Sequence, residues 1–465
     1  MRPPRSRLGR ALATGVLCAA TALGTLATGA APAQAADQPL RDLADAKGIH
    51  IGNALAGSKL TNNARYREIA ATEFNSVTAE NAMKWGVLEP NRGSYNWGEA
   101  DQLVDFAEAN GQQVRGHTLI WHSQNPGWLD NGDFSAAEMR QLMRNHIETT
   151  VGRYEGRIAV WDVVNEMFND DGSFRRTIWY DALGPDYIAE ALTLAHEADP
   201  TAKLYLNDYS VEAVNAKSTA MYNLARDLKA RGVPLHGIGL QSHLILGQVP
   251  STMQANIQRF ADLGLDVDIT ELDVRIQMPA SADELRRQAD DYRAVFDACL
   301  AVSRCQGVTV WGVGDNDSWV PDVFEGYGAP LMYDGNYQAK PAYDAVAEAL
   351  GGTTDPGDPG DPGDPPGDGC VADYAVANEW NSGFTGNVTI RCTGSSLSGW
   401  TATWDFPAGQ RISHAWNASC TQSGARVTCT NVSWNGTVPA GGSTTFGFNA
   451  TTSGSNPAPA SITLS

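Results

Sequence analysis

Basic residues are scarce in this chain. Its 465 residues include 33 Lys and Arg against 53 Asp and Glu, a formal net charge of −20. A surface of that sign repels polyphosphates and anionic headgroups, which excludes nucleic acid and membrane surfaces as partners. Charged residues reach only 18% and hydrophobic ones 42%, too apolar for a disordered chain. Several chemistry-bearing motifs are missing too. His117 and His122 lie five apart without the H-E-x-x-H pattern of a zinc protease. There is no G-x-S-x-G turn for a serine esterase and no G-x-G-x-x-G loop for a dinucleotide. None of the seven cysteines has zinc-finger spacing with histidine. Asn169-Asp170-Asp171-Gly172 reads as a turn rather than a calcium loop. No metal site and no cofactor is implied.

What is plentiful is tryptophan, 13 residues, whose flat faces stack well on sugar rings. Residues 1–36 read as a secretory signal peptide. Arg2, Arg5, Arg7 and Arg10 form a basic start, an uncharged run follows, and Ala33-Gln34-Ala35 is a small-x-small cleavage site. A membrane anchor is the competing reading, but Ala, Gly and Thr leave the run weakly hydrophobic. The expected location is extracellular. Cleavage removes Cys18 and leaves an even number of cysteines, as disulfides in an oxidising compartment require. Six cysteines allow fifteen pairings. Short spacing favours Cys299–Cys305 and Cys420–Cys429, after which Cys370 and Cys392 pair by default.

Residues 353–369, TTDPGDPGDPGDPPGDG, contain no core residue and read as an extended acidic spacer. They separate a large domain (37–352) from a small one (370–465). The large domain alternates β-rich runs with amphipathic helical stretches such as Ala100–Asn110 and Asn256–Leu263. The runs are Ile49–Ala54, Phe74–Thr78, Gln113–His117, Ile158–Val164, Lys203–Asn207, Ile238–Gln241, Val267–Thr270 and Gly307–Trp311. Strand then helix, repeated eight times, predicts an α/β fold, a (β/α)8 TIM barrel with its chemistry at the C-terminal strand ends. Unusual polar residues gather at those ends: Glu80, Asn81 and Lys84; His117, Trp121 and His122; Asn165 and Glu166; Asn207, Asp208 and Tyr209; Gln241 and His243; Glu271 and Asp273; Trp311 and Trp319. Any one of them alone reads as a satisfied turn residue. Their convergence on one rim reads as a site.

Glu166 and Glu271 end the fourth and seventh runs and should face each other across the barrel mouth. Two carboxyl groups so placed suit glycoside hydrolysis, one protonating the leaving oxygen while the other supports the anomeric carbon. His243 and Asp273 are placed to orient Glu271, and Asn165 to bond a sugar hydroxyl.

The segments TAENAMKW (78–85), GHTLIWHSQ (116–124), WDVVNE (161–166), QSHL (241–244), DITELDV (268–274) and TVWGVGDNDSW (309–319) closely resemble glycoside hydrolase family 10, the retaining endo-β-1,4-xylanases. The resemblance spans about 40 to 350. It implies that Glu166 is the acid/base and Glu271 the nucleophile. It also implies that Glu80, Asn81 and Lys84 bind the xylose one step further to the non-reducing side. His117, Trp121, Asn165, Gln241, His243 and Trp311 would then surround the sugar under attack, with Trp319 walling the cleft. Tyr209 is counted with these substrate-binding residues. The family also often has a disulfide where Cys299 and Cys305 lie.

Residues 370–465 alternate short Thr-, Ser- and Val-rich runs with turns, which predicts an all-β sandwich. Trp400 should point inward. Trp380, Trp416 and Trp434, flanked by polar or turn residues, should line a glucan-stacking face. The stretches NEWNSGFTGNVTI (378–390), GWTATWDFPAGQRISHAWNAS (399–419) and NVSWNGTVPAGGSTTFGFNA (431–450) resemble a family 2 carbohydrate-binding module. Trp at all three surface positions implies crystalline cellulose as its ligand. The chain departs from the family in having no C-terminal Cys to pair with Cys370.

The expected protein is therefore a secreted, monomeric xylanase acting on xylan and held to the plant cell wall by a cellulose-binding module. Two other readings compete. One is a barrel endoglucanase, disfavoured because Asn81 and Lys84 beside Trp319 suit xylose, which lacks a hydroxymethyl group. The other is a catalytically silent sugar-binding protein, disfavoured by the presence of both carboxylates.

Overall fold

Eight runs of aliphatic and β-branched residues form the staves of a closed barrel in the computed structural model of the chain. It describes residues 38–352 and 370–464, apart from 381, 393–395, 440–441, 453–455, 457–458 and 460–461. The leader expected over 1–36 and the spacer expected over 353–369 lie outside the described residues. The strands are β1 (His50–Leu55), β2 (Ser76–Ala79), β3 (Gln113–Ile120), β4 (Val160–Asn165), β5 (Lys203–Asp208), β6 (Gly237–Leu240), β7 (Asp266–Gln277) and β8 (Cys305–Val310). Each pairs in parallel with the next. β8 pairs back onto β1, so the ring closes without a free edge.

Helix α1 (Leu40–Lys47) precedes β1. The crossovers are α2 (Ala64–Thr72), α3 (Gly98–Ala109), α4 (Ala136–Arg153), α5 (Tyr187–Ala198), α6 (Ala216–Ala230), α7 (Met253–Asp262) and α8 (Ala282–Leu300), and α9 (Pro341–Ala349) follows β8. α3 buries Leu103 and Ala107 as its periodicity predicts, while Phe106 stays half-buried. α4, α6 and α8 begin with reciprocal side-chain and backbone hydrogen bonds, Ser135 with Glu138, Asn215 with Ser218 and Ser281 with Glu284. Each such box satisfies two amide donors that a helix start leaves free. Close approach decides the residue at 116, where a Cβ would fall 2.2 Å from the Trp161 ring. Only glycine lets that indole fill the barrel wall.

The seventh stave runs further than its expected end at Thr270. Beyond the ring it pairs with a short strand, His243–Ile245, and then with Tyr327–Gly328. These additional ladders satisfy backbone groups that would otherwise be loop, and they carry β7 upward as a rigid wall over the rim. Inside the barrel, Arg115 Nε donates to Asp162 Oδ2 (3.0 Å) and its Nη1 to Asp268 Oδ2 (2.8 Å). All three side chains are largely out of water, so the two carboxylates offset the cost of burying the guanidinium. Asp162 in turn lies 3.0 Å from His117 Nδ1 and fixes that ring toward the mouth.

Residues 370–464 form two antiparallel sheets around a second core. The strands are β9 (Cys370–Trp380), β10 (Gly383–Cys392), β11 (Thr401–Asp405), β12 (Arg411–Trp416), β13 (Ala418–Ser423), β14 (Arg426–Asn431) and β15 (Ser443–Thr451). One sheet runs β9-β10-β15-β12. The other runs β13-β14-β11 and ends on Thr463–Leu464. Trp400 and Trp404 both stand in the core, at 2% exposure each, against Phe446 and Phe448. Alternation along Trp400-Thr401-Ala402-Thr403-Trp404 puts both indoles on the inward face.

The three disulfides join Cys299 to Cys305, Cys370 to Cys392 and Cys420 to Cys429. The second bridges directly opposed residues of β9 and β10, and the third opposed residues of β13 and β14. Among the described residues no helix is long and apolar enough to cross a membrane.

Candidate active site

The C-terminal strand ends open into a cleft of about 750 Å³. The barrel residues expected at the rim line it except His122, Asn207, Asp208 and Asp273, which stand behind it, Asp273 directly against His243. Glu271 projects from β7 and is 5% exposed. Its Oε1 accepts from Asn207 Nδ2 at 2.8 Å, and its Oε2 lies 3.2 Å from His243 Nε2. The other nitrogen of that ring lies 2.8 Å from Asp273 Oδ2, which also accepts from Trp319 Nε1 at 2.8 Å. Burial disfavours charge on His243, but the charge and hydrogen bond of Asp273, joined by those of Glu271, raise it to about 10. An imidazolium therefore stands between two carboxylates and fixes the orientation of Glu271.

Glu166 sits one residue past β4 at φ 57°, a left-handed kink that turns its side chain over the mouth. Its Oε2 lies 2.8 Å from His122 Nε2, and its Oε1 accepts from Gln241 Nε2 at 3.2 Å. Burial pushes this carboxyl group up. Hydrogen bonds from His122, Trp121 and Gln241 outweigh that effect and hold it down at about 2.

Two residues tie the pair together. The Asn207 carbonyl accepts from Glu166 N at 2.8 Å while its side chain bonds Glu271. The Gln241 carbonyl accepts from Glu271 N at 2.9 Å while its side chain bonds Glu166. The Asn165 amide lies within 3.0 Å of the Asn207 side chain and 3.3 Å of that of Gln241. It is thus engaged with protein neighbours as well as facing the cleft.

On the β2 side, Asn81 Nδ2 donates to Glu80 Oε1 (3.1 Å) and Lys84 Nζ to Asn81 Oδ1 (2.9 Å). Lys84 stands 5.1 Å from the Trp121 ring centre. Burial lowers its ammonium and raises the Glu80 carboxyl, each effect partly offset by opposite charge in the cleft. His117 lies edge-on to Trp311, and His243 to Trp319. Tyr209 is held from two sides. Its hydroxyl accepts from Arg175 Nη2 at 2.7 Å, and Lys217 Nζ lies 3.2 Å from its ring centre. Lys217 pairs at 2.9 Å with Asp208, whose carboxyl burial pushes up to about 7 against the pull of that ammonium.

Some of these contacts are not legible in sequence. His122, Asn207 and Asp208 stand out as polar residues at strand ends, but nothing local says that two of them touch the glutamates. Arg175, Lys217 and Lys59 give no signal at all, and Asp317 none beyond its place in the segment 309–319. Lys217 sits on α6, where a lysine ordinarily reads as a solvated face. Lys59 and Asp317 meet at 2.7 Å only because β1 and β8 are neighbours at the closure of the ring.

The match to known proteins follows this geometry. Residues 39–349 match the family described as glycosyl hydrolase family 10. The chain belongs to that family. Among its relatives, an endo-1,4-β-xylanase of Agaricus bisporus is 49% identical over 276 residues, 59% of this chain and 83% of that one. Endo-1,4-β-xylanase B of Thermotoga neapolitana is 43% identical over 318 residues, 68% of this chain and 92% of that one. The crystal structure of xylanase 10B from Thermotoga petrophila in complex with xylobiose superposes with a TM-score of 0.67 at 42% identity, over 68% of this chain and 98% of that one. Residues 370–465 match a family described as a cellulose binding domain.

In that second domain Trp434 is 68% exposed. Trp416 packs against Gly447 of β15, its cross-strand partner, where a Cβ would come within 2.3 Å of the indole. The backbone of Trp380 ends β9, but its side chain lies outside the described residues. Two of the three expected stacking residues are thus placed, one exposed and one packed against its neighbouring strand. Among the described residues no group of three or more His, Cys, Asp or Glu could hold a metal.

Proposed function

We propose that the protein is a secreted endo-1,4-β-xylanase that cleaves xylan with retention of configuration and binds cellulose through residues 370–465. The observation that carries this reading is the unlike treatment of two carboxylates within one shared network. Glu271 is oriented by the His243 imidazolium and Asn207, as a nucleophile requires. Glu166 is held by neutral donors and His122, groups that an arriving sugar can displace.

In the first step a Glu271 oxygen bonds the anomeric carbon as the glycosidic bond breaks, and Glu166 gives its proton to the departing oxygen. Its protein neighbours hold the Glu166 carboxyl group low, so it must gain that proton as substrate arrives. A sugar that excludes water and loosens the bonds from His122 and Gln241 leaves burial as the dominant influence and raises the carboxyl group. In the second step Glu166, now a base, takes a proton from water. The oxygen of that water bonds the anomeric carbon and releases Glu271. Glu80, Asn81 and Lys84 hold the sugar one step further to the non-reducing side. His117, Trp121, Asn165, Tyr209, Gln241, His243, Trp311 and Trp319 surround the reacting sugar and its neighbour.

The cleavable leader over 1–36, the catalytic domain over 37–352, the spacer over 353–369 and the module over 370–465 complete this reading, with the chain acting as a monomer. Hydrolysis of xylan and of carboxymethyl-cellulose should be assayed side by side, with the first-formed anomer followed by proton NMR. Release of β-configured xylooligosaccharides from xylan is expected. Faster hydrolysis of the cellulose derivative, or an α-configured first product, would overturn the substrate or the mechanism respectively.

A further inference from the structure

Most cations lining the cleft are already occupied. Lys59 pairs with Asp317, Lys84 bonds Asn81, and His243 stands between Glu271 and Asp273. Arg275 is different. It lines the same cleft, and among the described residues its guanidinium is in no ion pair or hydrogen bond, although its Nε is fully buried. An unpaired buried donor is costly, so its retention calls for a reason.

The setting is built. Residues 271, 273 and 275 alternate onto one face of β7, so Arg275 follows Glu271 and Asp273 outward along the cleft wall. Four residues of strand carry it roughly 13 Å past Glu271, beyond the sugar under attack. The strand is pinned there on both sides, by Ile245 opposite Arg275 and by Tyr327 opposite Gln277. The guanidinium carbon lies 3.9 Å from the Phe324 ring centre and 5.7 Å from that of Tyr327. Stacking on Phe324 holds the plane of the fork, and a guanidinium held in one plane is suited to two parallel hydrogen bonds with a carboxylate.

We propose that Arg275 is a receptor for the carboxylate of a uronic-acid branch on the xylan chain, making acidic, branched xylan the preferred substrate class. This rests on the xylanase reading above. The protein has a net charge of −20, and its cleft holds Glu80, Glu166 and Glu271. An acidic branch would be repelled there unless one unneutralised cation met it. Arg275 is placed to be that cation.

The test uses the full chain and three oligosaccharides with one backbone: unbranched, carrying a single uronic-acid branch, and carrying the same branch with its carboxyl group reduced to an alcohol. The wild-type protein should show kcat/KM on the acidic form roughly tenfold above the reduced form, the size of one charge-assisted hydrogen-bonded pair. Arg275→Met should bring that ratio to about one, and Arg275→Lys should keep part of it. Rising salt should erode the wild-type ratio, which needs no variant to fold. A wild-type ratio at or below one, a ratio indifferent to salt, or an unchanged ratio in a folded Arg275→Met protein overturns the assignment. Failure of the wild-type protein on the unbranched chain would instead overturn the xylanase reading.

Discussion

Asn207 donates its side-chain amide to Glu271 over 2.8 Å while its own carbonyl receives the backbone NH of Glu166, also at 2.8 Å. One residue at the end of β5 thus fixes the lateral position of both carboxylates. Its own amide oxygen is held by Thr270 Oγ1 at 2.7 Å, so the donor cannot swing away. Asn207→Ala removes the bond to Glu271 and leaves Thr270 without its acceptor. The expected loss is about 10²-fold or more in kcat with a smaller change in KM, since a group aimed at the reacting oxygen counts most in the transition state. Steady-state kinetics on a xylooligosaccharide check this, and a melting curve separates it from the stability cost of about 1–3 kcal/mol for the orphaned polar group.

Glu271→Ala should abolish turnover by orders of magnitude while xylan binding persists, because no neighbouring oxygen replaces the lost nucleophile. Azide added to this variant should occupy the vacated space and attack from that side. An α-configured glycosyl azide from an activated aryl glycoside is the expected product. Near-normal hydrolysis of xylan by Glu271→Ala would remove Glu271 from its assigned role.

His122→Ala should raise the Glu166 carboxyl, because the hydrogen bond and charge of that imidazole hold it down. A general acid that stays protonated to higher pH moves the alkaline limb of kcat/KM upward. The measurement is the pH profile of kcat/KM for both proteins. A limb that stays in place or moves downward contradicts the contact as a determinant of Glu166.

His243 is raised from 6.5 to about 10 in the folded protein, chiefly by Asp273 against the opposing effect of burial. A cation stabilised by folding contributes its full stability below the unfolded value and loses it as pH climbs through the folded one. Thermal stability of the barrel should therefore decline between about pH 6.5 and pH 10. His243→Gln should flatten that part of the curve, as read by calorimetry across the range.

Trp434→Ala should weaken binding to microcrystalline cellulose without altering hydrolysis of soluble xylan, since the indole is exposed. Trp416→Ala should weaken binding too, while Trp400→Ala should destabilise the module by about 3–5 kcal/mol through the cavity it leaves. Truncation after Gly352 should abolish cellulose binding and spare soluble-xylan hydrolysis. Equal pull-down of truncated and full-length protein on cellulose would contradict the reading of residues 370–465.

The alternation of strand and helix determined by itself that the first domain is a barrel, because each stave buries a short aliphatic run and each helix a stripe at helical period. The strand-end motifs likewise placed Glu166, Glu271, His243 and Trp319 on one rim before any coordinate. Local pattern could not say how far β7 runs, because its continuation depends on ladders to His243–Ile245 and Tyr327–Gly328, which are distant in sequence. It could not show that His122 reaches Glu166 or that Asn207 serves both carboxylates, since each contact spans more than forty residues and exists only once the ring is closed. Nor could it separate Arg275 from an ordinary surface arginine. Whether a charge is paired, solvated or left waiting depends on what other segments bring within about 4 Å of it, and that is fixed by tertiary packing rather than by residue type.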